Sequence, residues 1–200
     1  YLDIFGTILT EIGTKDLDYI EFAKKKNIYT GGFSHQFSIY NQRENRDSYK
    51  PVFWLNVKIL REFIKDGLNI LDDVIFNFDF SNRKRIQEII KRNFAWIENH
   101  VQSEGYHFPL NRAKALLHES GIYSELVSGS TAFLHLKNIL NNYGENENEL
   151  ISSIQEIGRL LFNKNNTLVT ITAEEKDIAT SQPIIDELIN KLNIIKFPIQ

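Results

Sequence analysis

The sequence contains no cysteine and no methionine. The first absence excludes disulfides, thiolate metal sites and cysteine nucleophiles. The second, in a chain that begins at Tyr1, reads as a piece of a longer protein. Only 4 prolines occur in 200 residues, so no proline-rich linker divides the chain. No apolar run approaches the roughly 20 residues of a membrane span, and no secretory leader pattern is visible. An excess of one charge is lacking too. Lys and Arg number 23 against 26 Asp and Glu, a net charge of -3. That balance argues against a nucleic-acid groove or an anionic membrane as partner. What remains is an ordinary globular composition, 42% apolar and 24% charged, with enough length for a sizeable core.

Periodicity supplies the elements. Leu2, Phe5, Leu9 and Ile12 fall at helical spacing, and Gly13 is the expected stop. Asp16 is the expected cap of a second helix that turns Leu17, Ile20 and Ala23 inward and ends on Lys24 to Lys26. In "YTGGFSHQFSIYNQ", Phe33, Phe37 and Ile39 share one parity. The polar "QRENRDSYK" reads as a hairpin loop, and "PVFWLNVKILRE" alternates again, with Val52, Trp54, Val57 and Ile59 as packed positions. Helices are expected over 60–77, despite Gly67, and over 81–105. In the latter, Ser81 or Asn82 caps a stripe of Ile86, Ile89, Ile90, Phe94 and Ile97, and Gly105 closes it.

Further helical segments cover 111–120, ended by Gly121, then 128–142 and 146–162. The most linker-like stretch, 141–149, is short. "NTLVTITAE" reads as a third strand, and "SQPIIDELINKLN" as a last helix with Ser181 as cap and Pro183 in its first turn. The fold class is α+β. An antiparallel sheet of residues near 29–40, 51–59 and 167–172 is covered by several helices, with the first helix packed against it. Three strands are few for so many helices, so the domain reads as truncated at its N-terminus.

Catalytic motifs are absent. None of the five histidines (His35, His100, His107, His118 and His135) pairs at i, i+4, the spacing that puts two imidazoles on one helical face. "SELVSGSTA" lacks the second glycine and the preceding strand of a serine elbow, and Ser130 reads as a helix N-cap. "TGGF" is no phosphate loop; its glycines read as a bend at a strand start. "NRKRIQEIIKR" reads as a solvated helix face. Asp72 and Asp73 point to different helical faces and form no carboxylate pair. The residues alone give an α+β piece with no visible active site.

Several stretches nevertheless fit one family in the right order. "FGTILTEIGTKDLDYIEF", "IYTGGFSHQFSI", "ELVSGSTAFLHLKNI" and "LLFNKNNTLVTIT" look like successive segments of the third homologous domain of presequence-protease-like zinc peptidases. Gly105, Arg112 and Ala113 keep the spacing of that domain's Gly-His-x-x-Ala-x-x-Arg-Ala motif, with Tyr106 for the usual His and Pro109 for the usual Ala. Over nearly its whole length the chain resembles the pitrilysin/insulinase family.

The resemblance implies a metallopeptidase-like domain, 1–200, from the C-terminal half of a four-domain chain whose two halves close around a chamber for unfolded peptides. It implies zinc in the first domain of the parent, held by an inverted His-x-x-Glu-His motif and a downstream Glu. Aligning Gly13-Thr14 with the Gly-Ser after that motif puts Ile4, Thr7 and Ile8 at its His, Glu and His positions. These cannot ligate as imidazoles and carboxylate do, so this domain is expected to be noncatalytic and to hold no metal.

The same resemblance makes Thr30, Gly31, Gly32 and His35 candidate chamber lining. Expected partners are the other domains of the parent chain and, in the parent, unfolded peptides. The isolated piece is expected to self-associate through apolar surface its neighbours would cover, and an intracellular location, bacterial cytoplasm or organelle lumen, is expected. The rival readings are a structural or binding subunit of the same fold without proteolysis, and an unrelated helical interaction domain.

Overall fold

The computed structural model describes residues 2–44 and 48–195; the middle of the polar hairpin loop, 45–47, lies outside the described residues. Nine α-helices and one hairpin follow in order among these residues. They are α1 (Leu2–Glu11), α2 (Tyr19–Tyr29), β1 (Gly32–Asn41), β2 (Tyr49–Lys58), α3 (Ile64–Phe76) and α4 (Arg83–Glu104). Then come α5 (His107–Ala115), α6 (Glu119–Ser128), α7 (Ser130–Asn141), α8 (Tyr143–Leu161) and α9 (Glu175–Lys191). Strands β1 and β2 form a two-stranded sheet. The class is α+β, with helix dominant. The chain divides into two compact units, one drawing on residues 1–8, 35–54 and 80–153, the other on 9–34, 55–79 and 154–200.

In the first unit, the start of α1 supplies Ile4, Phe5 and Ile8 to the core. Phe5 meets Phe53 of β2 in a tilted ring contact, centroids 5.6 Å apart. The inward face of β2 therefore carries Phe53, not the expected Val52 and Trp54. Trp54 turns the other way, its Nε1 donating to the Tyr40 hydroxyl at 3.2 Å. Helix α4 buries Ile86, Ile89 and Ile90 as its periodicity requires, and Asn82 caps it by accepting from the Arg85 N–H at 3.0 Å. Phe94 stacks on Phe133 of α7 at 5.3 Å. Helix α8 begins inside the stretch that looked most like a linker, and its Tyr143 hydroxyl donates to the Arg83 carbonyl at 3.3 Å.

Two boundaries in this unit differ from expectation. Gly121 does not end a helix but lies inside α6, where a Cβ would strike the Lys114 backbone. It permits a close crossing of α5 and α6. Ser130 is the first residue of α7 rather than its N-cap, and Gly129 holds the cap position without a side chain. The missing acceptor comes from α6. Buried Glu125 uses Oε1 to accept from the Thr131 N–H at 3.0 Å and the Thr131 hydroxyl at 3.1 Å. Arg112 of α5 approaches the same oxygen at 3.5 Å. One carboxylate thus caps one helix from another and meets a cation from a third.

In the second unit, Gly13 ends α1 with φ +96, and Thr14 Oγ1 accepts from the Leu17 N–H at 3.1 Å. The cap of α2 is Asp18, two residues after the expected Asp16, and it accepts from the Ile20 and Glu21 N–H groups at 2.8 Å. Phe22 is its buried anchor, while Ile20 and Ala23 are exposed. Gly67 of α3 is a contact site, since a Cβ there would fall on the Ile59 side chain. Ile75 of α3 packs with Leu188 of α9 and with Leu192, and Leu55, Leu71, Phe76, Phe162 and Ile189 surround them. Asp72 and Asp73 do point apart: Asp72 pairs with Lys191 at 2.9 Å and Asp73 with Lys25 at 3.0 Å.

Two further expectations fail in this unit. Residues 167–172 form no strand among the described residues. Helix α9 starts at Glu175, so Ser181 and Pro183 lie in its interior rather than at its entry. Arg61 holds the additional turns from outside the helix, reaching Glu174 and Asp177 at 2.8 Å each. Ser181 donates back to the Asp177 carbonyl at 2.7 Å. Buried Asn163 is bonded at both ends of its amide. Its Nδ2 donates to the Ile195 carbonyl at 2.9 Å, and its Oδ1 accepts from the N–H groups of Asn165 and Ile195 at 3.1 and 3.2 Å.

The Glu125 node yields a stability prediction. Glu125→Ala removes the α7 cap and leaves the Thr131 donors unmet, and should lower unfolding free energy by about 1–3 kcal/mol. Glu125→Gln, which keeps an acceptor, should cost less. Urea titration followed by circular dichroism compares the two.

Candidate functional site

The positions of interest lie on α1 and around β1. In the first unit, Ile4 and Ile8 are buried and Thr7 is partly covered. The aliphatic pair serves packing and offers no lone pair to a metal. Gly6, between them, is buried because His35 of β1 lies over it. A Cβ at Gly6 would fall on the His35 imidazole. The same imidazole stacks on Phe53, centroids 6.2 Å apart and planes 24° apart. The structure therefore brings His35 to the turn of α1 that carries Ile4, Thr7 and Ile8, as a ring seated on a glycine.

Thr30, Gly31 and Gly32 belong to the second unit and have backbone work to do. Thr30 ends α2, its N–H and its hydroxyl both donating to the Lys26 carbonyl at 2.9 and 2.8 Å. Gly31 N–H opens the hairpin by donating to the Lys58 carbonyl at 2.8 Å. Gly31 has no side chain to aim at a ligand, and neither does Gly32. Nearby sits a residue that motif reading passed over. Lys26 lies over the rings of Phe22 and Phe33, 5.3 and 5.9 Å from their centroids. Its ammonium donates to the Thr10 carbonyl at the C-terminal end of α1, where a cation complements the helix dipole. Burial pulls its pKa below the usual lysine value, and Glu11 opposes that shift. The signal in the sequence was a lysine four residues after a phenylalanine on a short helix.

Two of the other histidines share one carboxylate. His100 and His107 both approach Glu104 Oε2, at 3.6 and 3.5 Å; His100 stacks on Trp96, and His107 meets the Tyr106 ring at a tilt. His118 precedes α6, its carbonyl accepting from the Gly121 N–H at 2.9 Å. Burial pulls the pKa of His135 below the usual imidazole value. Among the described residues, no group of three or more His, Asp or Glu is arranged to hold a metal ion. The Ser128 hydroxyl donates to the Ser124 carbonyl at 3.1 Å, an ordinary back-bond within α6. Among the described residues, no helix is long and apolar enough to cross a membrane.

The ring-on-glycine contact can be tested by a double-mutant cycle. Gly6→Ala should destabilise by about 1–3 kcal/mol, because the methyl group overpacks against His35. With His35→Ala already in place, the same change should become neutral or stabilising by about 0.5–1 kcal/mol, the ordinary gain of Ala over Gly in a helix. Urea unfolding of the four proteins measures the coupling.

Comparison with known proteins places this arrangement in a family. The model of the family described as peptidase M-16C associated matches residues 1–139. The chain is 23% identical over 193 residues to Protein HypA of Clostridium perfringens, covering 96% of this chain and 20% of that one. It is 23% identical over 189 residues to Presequence protease 1, chloroplastic/mitochondrial, of Arabidopsis thaliana, covering 94% and 17%. It is 21% identical over 165 residues to the mitochondrial presequence protease of Drosophila melanogaster, covering 82% and 16%. The chain thus spans about a fifth or less of the length of these curated relatives. With the family model matched over well more than half of its residues, the chain belongs to the peptidase M-16C associated family.

Proposed function

We propose that this chain is a noncatalytic, chamber-forming domain of a zinc metalloendopeptidase that degrades short unfolded peptides. The observation that carries the reading is the state of α1. Ile4 and Ile8 are buried at the positions that align with a metal motif, and His35 fills the notch at Gly6. A catalytic zinc needs three protein ligands and an open position for water. This helix is committed instead to apolar packing. The named proteases among the relatives support the parent's class, and the family matched is one associated with peptidases.

In this reading, zinc and the general base reside elsewhere in the parent, and hydrolysis proceeds there. This domain contributes wall. Enclosure selects by geometry, because only a flexible chain enters. His35, on the strand beside α1, is the side chain assigned to touch peptide, with Thr30, Gly31 and Gly32 forming the adjoining backbone. The exposed Leu116, Leu117 and Leu126 of the α5–α6 segment are assigned to contact with other domains of the parent. The place of action is an organelle lumen or a bacterial cytoplasm.

The test compares residues 1–200 with the full-length polypeptide. Metal analysis after dialysis and cleavage of a fluorogenic peptide should give one zinc and chelator-sensitive cleavage for the full-length protein, and neither for 1–200. His35→Ala in the full-length protein should leave zinc content unchanged and shift KM more than kcat. Loss of zinc on His35→Ala would overturn the wall assignment. A full-length protein with no zinc and no cleavage would instead favour a structural or binding subunit of the same fold.

A further inference from the structure

Helices α5 and α6 bring almost nothing to the core. Among the described residues, α5 has no buried residue, and those of α6 are Gly121 and Glu125. The two helices are nevertheless closely joined to each other, because Gly121 lets α6 cross the Lys114 backbone of α5. A glycine stands at each end of the pair, Gly105 where α4 stops and Gly129 where α7 begins. At the tip between them, Leu116 and Leu117 are 84% and 72% exposed. The pair rests on α7 through a closed polar ring at Thr131. Arg112 Nη1 of α5 donates to Thr131 Oγ1 at 3.3 Å, and that hydroxyl donates to Glu125 Oε1 of α6 at 3.1 Å. Arg112 Nη1 lies 3.5 Å from the same Oε1. Two aromatic contacts accompany the ring. Phe108 meets Phe133 of α7 edge-on at 6.4 Å, and Tyr123 meets Tyr49 of β2 at a tilt at 5.4 Å.

Docking also has a cost. Glu125 Oε2 is buried with no hydrogen-bond partner among the described residues, and it occupies the space that a Cβ on Gly129 would need. A buried carboxylate oxygen without a donor has lost its hydration and received nothing in exchange. Moving α6 away from α7 returns that oxygen to water. The docked position is held by a few polar bonds, opposed by one orphan oxygen, and secured by little apolar burial. Those are the marks of an element that opens well below global unfolding. We infer that α5 and α6 form a hinged flap, which swings as one piece about Gly105 and Gly129 and is latched to α7 by the Arg112–Thr131–Glu125 ring. Glycine accepts the change in φ and ψ that a hinge must absorb. The close crossing at Gly121 keeps the two helices together as they move. Opening lifts Phe108 from Phe133, which stacks on Phe94 of α4. The closed flap therefore masks an aromatic surface, and the latch sets how often that surface is shown.

The inference rests on contacts within residues 49–133 and not on any activity of the longer polypeptide. Pulsed electron spin resonance on the full-length polypeptide tests it, with spin labels on ketone-bearing residues introduced at Lys91 of α4 and Lys114 of α5, both exposed. A longer distance should be a minor population in the protein with an intact latch. Glu125→Ala should enlarge that population at least ~10-fold, as expected for the loss of a helix cap. Thr131→Val keeps the N–H and loses the hydroxyl, and should enlarge it less. Arg112→Ala changes a mostly exposed side chain and should move it in the same direction. Circular dichroism of the same samples should show unchanged helix content. The same distance distribution in all four proteins would overturn the inference. So would a longer distance that appears only with loss of helix, because the pair would then melt rather than swing.

Discussion

Helix α1 is short and buried around most of its circumference. Phe5 and Ile8 are fully buried, and Ile4, Leu9, Thr10 and Ile12 nearly so. Side chains buried this fully must be enclosed by protein, and each large apolar one contributes on the order of 1.5–3 kcal/mol when removed from water. The rest of the chain is arranged to meet that demand within each unit. Phe53 covers Phe5, His35 fills the groove at Gly6, and Lys26 closes the C-terminal carbonyls. Such a helix cannot also present a cluster of imidazoles and carboxylate to solvent. Imidazole and carboxylate at positions 4, 7 and 8 would bring desolvation costs that only a bound metal could offset.

Strong periodicity was readable in advance. The α1 face, the α4 isoleucine stripe, the hairpin and the α+β class all follow from spacing alone. The errors have specific causes. In Val52-Phe53-Trp54-Leu55 every residue is apolar, so no polar neighbour marks the inward parity, and Phe53 was missed in favour of Val52 and Trp54. Ser181-x-Pro183 is a sound local entry signal, but Arg61, more than a hundred residues earlier, holds Glu174 and Asp177 and carries the helix upstream of it. For residues 167–172 the strand composition was plain; a strand, however, is a property of a pair, and a single segment cannot announce its partner.

The candidate positions were legible only as residue types. That Ile4, Thr7 and Ile8 lack imidazole and carboxylate can be read directly from their names. That His35 would lie over Gly6 could not, because a glycine inside a helix looks like a defect until the ring that needs the space is known. Glu125 escaped for a related reason. Local rules look for a cap at the helix's own start, whereas this acceptor reaches α7 from the helix before it. Lys26 likewise read as one of three lysines suited to the C-terminal end of α2, and only the Phe33 ring and the Thr10 carbonyl single it out.

The Asn163 amide, bonded at both ends, has a topological consequence. Its bonds to Ile195 join residues 32 apart in sequence, so they close a ring of chain that contains the whole of α9. The entropic cost of closing a flexible loop rises only with the logarithm of its length, and about half of this ring is already stiffened as helix. A single side chain can therefore latch the ring, whereas latching to a residue in α1 would require closing a loop several times longer. The clasp is also self-contained, since its donors and acceptors all lie between residues 163 and 195. The segment from 163 to 195 thus carries a closure of its own, in addition to the packing of α9 on α3.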